Sequence, residues 1–408
     1  MNAHEKDIRR LRPGETLEDT ASTGVSLHCH TLHSRELLDF VPYYAERIPV
    51  VRYLWSRSMD RRLKKNGRMP DFKNGYWEPP LTADIVFRSE ADSLSRLGLR
   101  SIVSITDHDS ISAGLELQRD RPAGEAPVSM EWTVPFGHAF FHIGVHNLPS
   151  DSARLIAEDL MAYTNAAGEP DDRWLGGLLA MLDSIEGVLV VLNHPMWDIE
   201  MIGQELHERS LAEFLETHRR WIHAIEVNGF RSNAENEEAV ALALELGLPI
   251  VSGGDRHCCQ PNTMINLTNA ATFDEFVHEI RRERRSQIAV LPEYDVPLPS
   301  RQLASMRQIL GSFPEFANGR AEWPGRVYLD AGDGLGPVTL AEQWGGRTPL
   351  WTYPAIWVIG LLAHWTMRPV ISALIGDVDI GRNETAPAVG LSPMASPVPT
   401  RSLETGSV

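Results

Sequence analysis

Over about 260 residues, short apolar runs alternate with helical stretches, and nearly every run ends in, or contains, a side chain able to bind a metal. Runs at 25–27, 100–105, 128–134, 139–145, 188–192, 223–227 and 249–251 read as strands. Stretches near 82–97, 151–163, 172–185, 205–219, 235–246 and 273–285 read as helices, the first capped by Thr82 and stopped by Gly98. This rhythm predicts a parallel α/β architecture, with a barrel as its leading form. Ligand sites in such folds lie at the carboxyl ends of the strands. Here those ends carry His28 and His30, then Asp107, His108 and Asp109, then His194, then Asp255 and His257. Glu131 and His142 lie within the third and fourth runs. Surface histidines scattered without purpose would not track strand ends in this way.

Spacing sharpens the expectation. Side chains two apart on a strand share a face, so His28 with His30, and Asp255 with His257, can each reach one ion. Cys29 and Arg256, between them, are expected to point elsewhere. Histidines with bridging carboxylates suit Zn, Mn or Fe rather than Ca or Mg. A cluster of two or more such ions can generate hydroxide at neutral pH and clamp a phosphoryl group.

The segments SLHCHT (26–31), SITDHD (104–109), the Glu131 strand, FHIGVH (141–146), LNHP (192–195), IEVN (225–228) and SGGDRH (252–257) follow one another in order. Together they resemble the PHP family, named for polymerase and histidinol phosphatase, and the resemblance spans about residues 24–290. It implies a distorted (β/α)7 TIM-like barrel holding two or three divalent metal ions. It also implies phosphoesterase chemistry, with a metal-bound hydroxide attacking a small phosphomonoester. Carried over by motif, the implied ligands are His28, His30, His108, Glu131, His142, His194, Asp255 and His257. Many members place an aspartate five residues after the second histidine of the first motif, and some place a histidine six after it. This chain has Arg35 and Glu36 there. Glu36 would serve as a ligand in the six-residue register, whereas Arg35 would favour phosphate binding. Asp107 reads as a group orienting a ligand, and Arg256 and Arg231 as phosphate contacts. Rival readings are a nuclease or phosphodiesterase on the same site, or a non-catalytic metal-binding sensor or scaffold.

Charge is uneven. Residues 41–80 hold nine Lys/Arg against four acids, a +5 block in a chain of net charge -17, and read as an insertion before the second motif. The acidic remainder argues against a stable nucleic-acid partner. The expected organisation is a lead at 1–23, the phosphoesterase unit at 24–290, a Trp-rich extension at 291–381 and a disordered tail at 382–408. Within the extension, Thr348 to Met367 carry no formal charge, but Pro354 interrupts them. A peripheral membrane or protein contact through 348–376 is therefore expected ahead of a membrane span. Three cysteines and a polar start predict a cytoplasmic protein, or a membrane-associated one through that segment.

Overall fold

The computed structural model describes residues 8–38, 40–47, 49–166, 171–330, 336–350 and 352–375. The tail expected at 382–408 lies outside the described residues. In chain order the strands are β1 (Ile8–Arg10), β2 (Thr23–Leu27), β3 (Glu36–Leu37), β4 (Asp71–Trp77), β5 (Arg100–Ser104), β6 (Val128–Phe136) and β7 (Ala139–Leu148). They continue as β8 (Leu189–Leu192), β9 (Ala224–Asn228), β10 (Ile250–Gly253), β11 (Met264–Thr268), β12 (Ile288–Val290), β13 (Val327–Asp330) and β14 (Val338–Thr339). One sheet has the order β1-β12-β11-β2-β5, a second β10-β9-β8-β7-β6, and a third β14-β13-β4-β3.

The chain is α/β, but the expected closed TIM-like barrel does not form. Among the described residues the two five-stranded sheets share no ladder. The β-bridges between them are isolated ones, Cys29 with Arg256 and His108 with Glu131, beside hydrogen bonds such as those of Asn266 Oδ1 and Nδ2 with the Ser252 backbone. The departure begins at residues 128–148, where the two apolar runs are joined without a helix between them. Parallel pairing requires a crossover of a dozen or more residues, whereas a two-residue loop forces an antiparallel hairpin. Gly137, at φ 58°, makes that turn, and β7 runs against both β6 and β8. A second reversal occurs at β11, which is antiparallel to β2 and β12. Parallel pairing survives between β2 and β5 and among β8, β9 and β10.

Alternation along the strands sorts the core. Val25, Leu27 and Ile102 share one buried cluster with Leu189, Val191, Ala224 and Val251 of the other sheet, completed by Phe273, Phe276, Val277 and Ile280. The intervening Val103 packs instead with Ile105, Val86 and Phe87, the last two from the helix Ala83–Arg96. That helix begins where expected, with Thr82 Oγ1 accepting from the Ile85 N–H. Each fully buried side chain of this size contributes about 1.5–3 kcal/mol, so burial in these clusters dominates the favourable side of folding.

The basic block folds as the helices Phe40–Arg47 and Pro49–Asn66 followed by β4. β4 pairs with β3 on one side, Glu36 opposite Trp77, and with β13 on the other. Residues of the 41–80 block and of the C-terminal region thus build one sheet, and its β3 edge supplies Glu36. No helix among the described residues is long and apolar enough to cross a membrane.

Candidate metal centre

The ends of β2, β5, β8 and β10 and the interiors of β6 and β7 bring the ligand-capable side chains to one place, and Glu131 is its hub. Its carboxylate approaches five imidazoles: His28 Nε2 at 3.0 Å, His30 Nε2 at 3.4 Å, His108 Nδ1 at 3.3 Å, His142 Nδ1 at 3.2 Å and His194 Nε2 at 3.1 Å. Glu36 forms a second focus, 3.3 Å from His108 Nε2 and 3.1 Å from His257 Nε2. Asp255 lies between, with Oδ1 3.5 Å from His30 Nε2 and Oδ2 accepting from Arg231 Nη2 at 2.8 Å. Four sets of ligand atoms each lie within 4.8 Å of one another: His30, Glu36, His108 and His257; His28, His30 and Glu131; His28, His194 and Glu226; His108, Glu131 and His142.

Glu226 is the member that residue-by-residue reading missed, although its strand IEVN was noted. It is buried on β9, takes His28 Nδ1 at 2.6 Å and accepts from the His194 N–H at 2.9 Å. Gripping Nδ1 leaves Nε2 of His28 for the centre of the cluster, the usual way a carboxylate orients a ligating histidine. The glycine beside it has a steric reason. A Cβ on Gly253 would stand 1.7 Å from Glu226 Oε1, so any other residue would displace that carboxylate. Ser34 and Asn193 were missed as well. Ser34 Oγ donates to Glu36 at 2.6 Å and accepts from the His108 N–H, and Asn193 Nδ2 donates to Glu131 at 2.9 Å.

The supporting residues part company. Asp107 ties the first motif in place, accepting from the Thr31 N–H and hydroxyl, and burial raises its carboxyl to about 6 against those hydrogen bonds. Arg256 turns away from the cluster, as strand alternation demands, and is buried against Glu90 and the Cys258 carbonyl. Its expected phosphate contact is corrected on that ground. Arg35 is exposed, with its guanidinium 5.0 Å from the centre of the Tyr76 ring. Arg231 sits 3.7 Å over Trp197 while holding Asp255.

Backbone strain concentrates at the same place. His28, Asp109, His194 and Asp255 adopt left-handed φ values of 63°, 54°, 25° and 48°. Each such residue costs of order 1–3 kcal/mol, and such outliers cluster where geometry serves function.

The electrostatics describe a site built for cations. Burial opposes charge on Glu131, yet the imidazoles of His28, His142 and His108 hold it well below the usual carboxylate range. Burial likewise opposes charge on His108, but Glu36 and Glu131 raise it to about 10. His30, desolvated and facing His257, falls to about 3. Among the described residues, the buried Nδ1 of His194 has no hydrogen-bond partner, and Nε2 of His30 and Nδ1 of His142 meet the carboxylates at 3.2 Å or more without good hydrogen-bond geometry. The buried carboxylates call for compensating positive charge, which divalent ions could supply, and a set of imidazoles with bridging carboxylates fits Zn, Mn or Fe.

This yields a pH dependence. The folded pKa of His108 exceeds the ordinary value, so its stabilisation of the metal-free protein is complete below about pH 6.5 and lost as pH rises through about 10. A metal must displace that proton. Loading Zn or Mn into chelator-stripped protein near neutral pH is therefore expected to release protons, seen as buffer-dependent heats in calorimetry. Heats independent of buffer would contradict it.

No family model matches the chain, and no curated protein matches it. Solved structures similar to it include the following three. PsfC from Pseudomonas syringae has 16% identity, a TM-score of 0.37, and 67% of this chain and 93% of that one covered. An amidohydrolase from Chromobacterium violaceum, with sulfate bound and no metal, has 15% identity, a TM-score of 0.32, and 44% and 83% covered. A protein from Bifidobacterium adolescentis, described provisionally as a metal-dependent phosphoesterase, has 16% identity, a TM-score of 0.33, and 63% and 95% covered. At such low similarity neither chemistry nor substrate transfers, and the side chains of this chain carry the functional reading.

Proposed function

We propose that the chain is a metal-dependent phosphoesterase acting on a small phosphomonoester. The observation that carries this reading is the convergence of five imidazoles on the buried carboxylate of Glu131, with Glu36 and Asp255 alongside. The ordered motifs that resemble the PHP family support the choice of phosphate esters. Divalent ions, when bound, supply charge neutralisation for a phosphoryl group and hydroxide at neutral pH. His28, His30, His108, His142, His194, His257, Glu36, Glu131 and Asp255 would hold two or three of them, with Glu226 fixing the ring of His28.

The chain's own residues also set the approach. His28, His30 and Glu131 are fully buried, while His108 and His257 keep side-chain exposures of 13% and 16%. The phosphate therefore enters past His108, Glu36 and His257, where Trp77 stands 5.8 Å from the His257 ring. Arg231 holds Asp255 ionised and places a positive charge beside the cluster, favouring an anionic substrate.

A phosphate-release screen over nucleotides, sugar phosphates and p-nitrophenyl phosphate, with Mn, Zn and Fe, tests the reading. Wild type should release phosphate, and His194→Ala should lose about 100-fold or more. Equal release from both proteins would sink the site assignment.

A further inference from the structure

The C-terminal region presents an apolar face that the catalytic reading leaves unused. Among the described residues of 350–370, seven large apolar side chains are exposed: Leu350, Tyr353, Trp357, Val358, Leu361, Trp365 and Val370, with Trp357 and Trp365 each 67% exposed. They lie on and around the helix Thr352–Leu362, which packs on one side against the helix Leu298–Ile309. Such a density of exposed aromatic and aliphatic groups marks an interaction surface.

Charge indicates the occupant. From residue 343 to 376 there is no Asp or Glu, in a chain of net charge -17. The charged residues there are Arg347 and Arg368, on either side of the apolar helix and both exposed. Arg307 lies alongside it, its Nε 3.8 Å from where a Cβ on Gly360 would be. The basic helix Pro49–Asn66 touches the segment that precedes the apolar helix in the chain, with Arg62 donating to Gln343 Oε1 at 3.5 Å. Tryptophan and tyrosine with arginines and no acids form the composition of a helix lying in a bilayer interface, where indole and phenol rings sit at headgroup depth and cations meet anionic lipids. The helix has only 11 residues, too few to cross, so it can lie on a membrane but not span one.

We infer that residues 350–370 form a peripheral docking face for an anionic lipid bilayer. The partner is a lipid surface rather than a second protein, because the charge pattern offers cations to an extended anionic plane and contains no acid to complement a basic partner.

The test is co-sedimentation of the full chain with phosphatidylcholine vesicles, with and without phosphatidylglycerol, together with tryptophan emission. Wild type should bind the anionic vesicles, with a blue shift and a loss of binding at high salt. Trp357→Ala/Trp365→Ala should partition about tenfold or more weakly, and Arg347→Gln/Arg368→Gln should lose the preference for phosphatidylglycerol. Both pairs are solvent-exposed, so an unchanged melting temperature verifies that the variants fold. Absence of wild-type binding, or equal binding by the tryptophan variant, would overturn the inference. So would a dimer that dissociates in that variant without any vesicle binding, which would make the face a contact between copies.

Discussion

Replacing Glu131 by glutamine is expected to lower kcat/KM for the best phosphomonoester by about a thousandfold or more, equivalent to about 4 kcal/mol of transition-state stabilisation. The size follows from the hub position. One carboxylate lies within 3.4 Å of five imidazoles and belongs to two of the candidate ligand sets, so it would serve more than one bound ion. Glutamine keeps the volume and can still accept from Asn193, so packing should survive while the charge is lost. Metal analysis of the purified variant should show a lower content than wild type, with an unchanged circular dichroism spectrum. A variant that keeps its full metal content and works within about threefold of wild type would remove Glu131 from the centre of the mechanism.

Arg256→Met is expected to act on stability instead. The guanidinium and the Glu90 carboxylate are both buried, with side-chain exposures of 4% and 1%, so truncating one leaves an uncompensated charge. Breaking a buried pair from one side costs about 3–5 kcal/mol. Urea unfolding should register that loss, and Glu90→Gln added to Arg256→Met should recover part of it. Turnover of the folded fraction should change little, because the side chain faces Ser89, Glu90 and Cys258 rather than the ligand cluster. An increase of about tenfold in KM with unchanged stability would instead return Arg256 to the substrate.

These two positions show what was legible before the fold was known. Strand alternation separated His28 and His30 from Cys29, and Asp255 and His257 from Arg256, since side chains two apart must share a face. The expectation that Arg256 would touch phosphate conflicted with that same rule, and the rule prevailed. Helices were equally readable where local chemistry acts alone. Ser232 and Glu235 form a reciprocal cap at the start of Asn233–Leu246, and Gly247 ends it at φ 65°. Glu226 was overlooked because its strand is apolar on either side and its role depends on His28, some two hundred residues away. Ser34 escaped notice for a similar reason: only the fold brings its hydroxyl to Glu36 and the His108 N–H.

The closed barrel was the larger error. Local periodicity reports which residues are apolar, not which strand pairs with which or in what direction. The sequence by itself determined the ligand-capable side chains, their alternation along each strand and the bounds of the capped helices, because these depend on neighbours within about one turn or one pleat. Only the tertiary structure decided that β6 and β7 form a hairpin, that the two five-stranded sheets meet at single bridges, and that Glu131 stands among five histidines. Those outcomes are set by connection length, strand direction and the packing of distant segments, which no short window of residues contains.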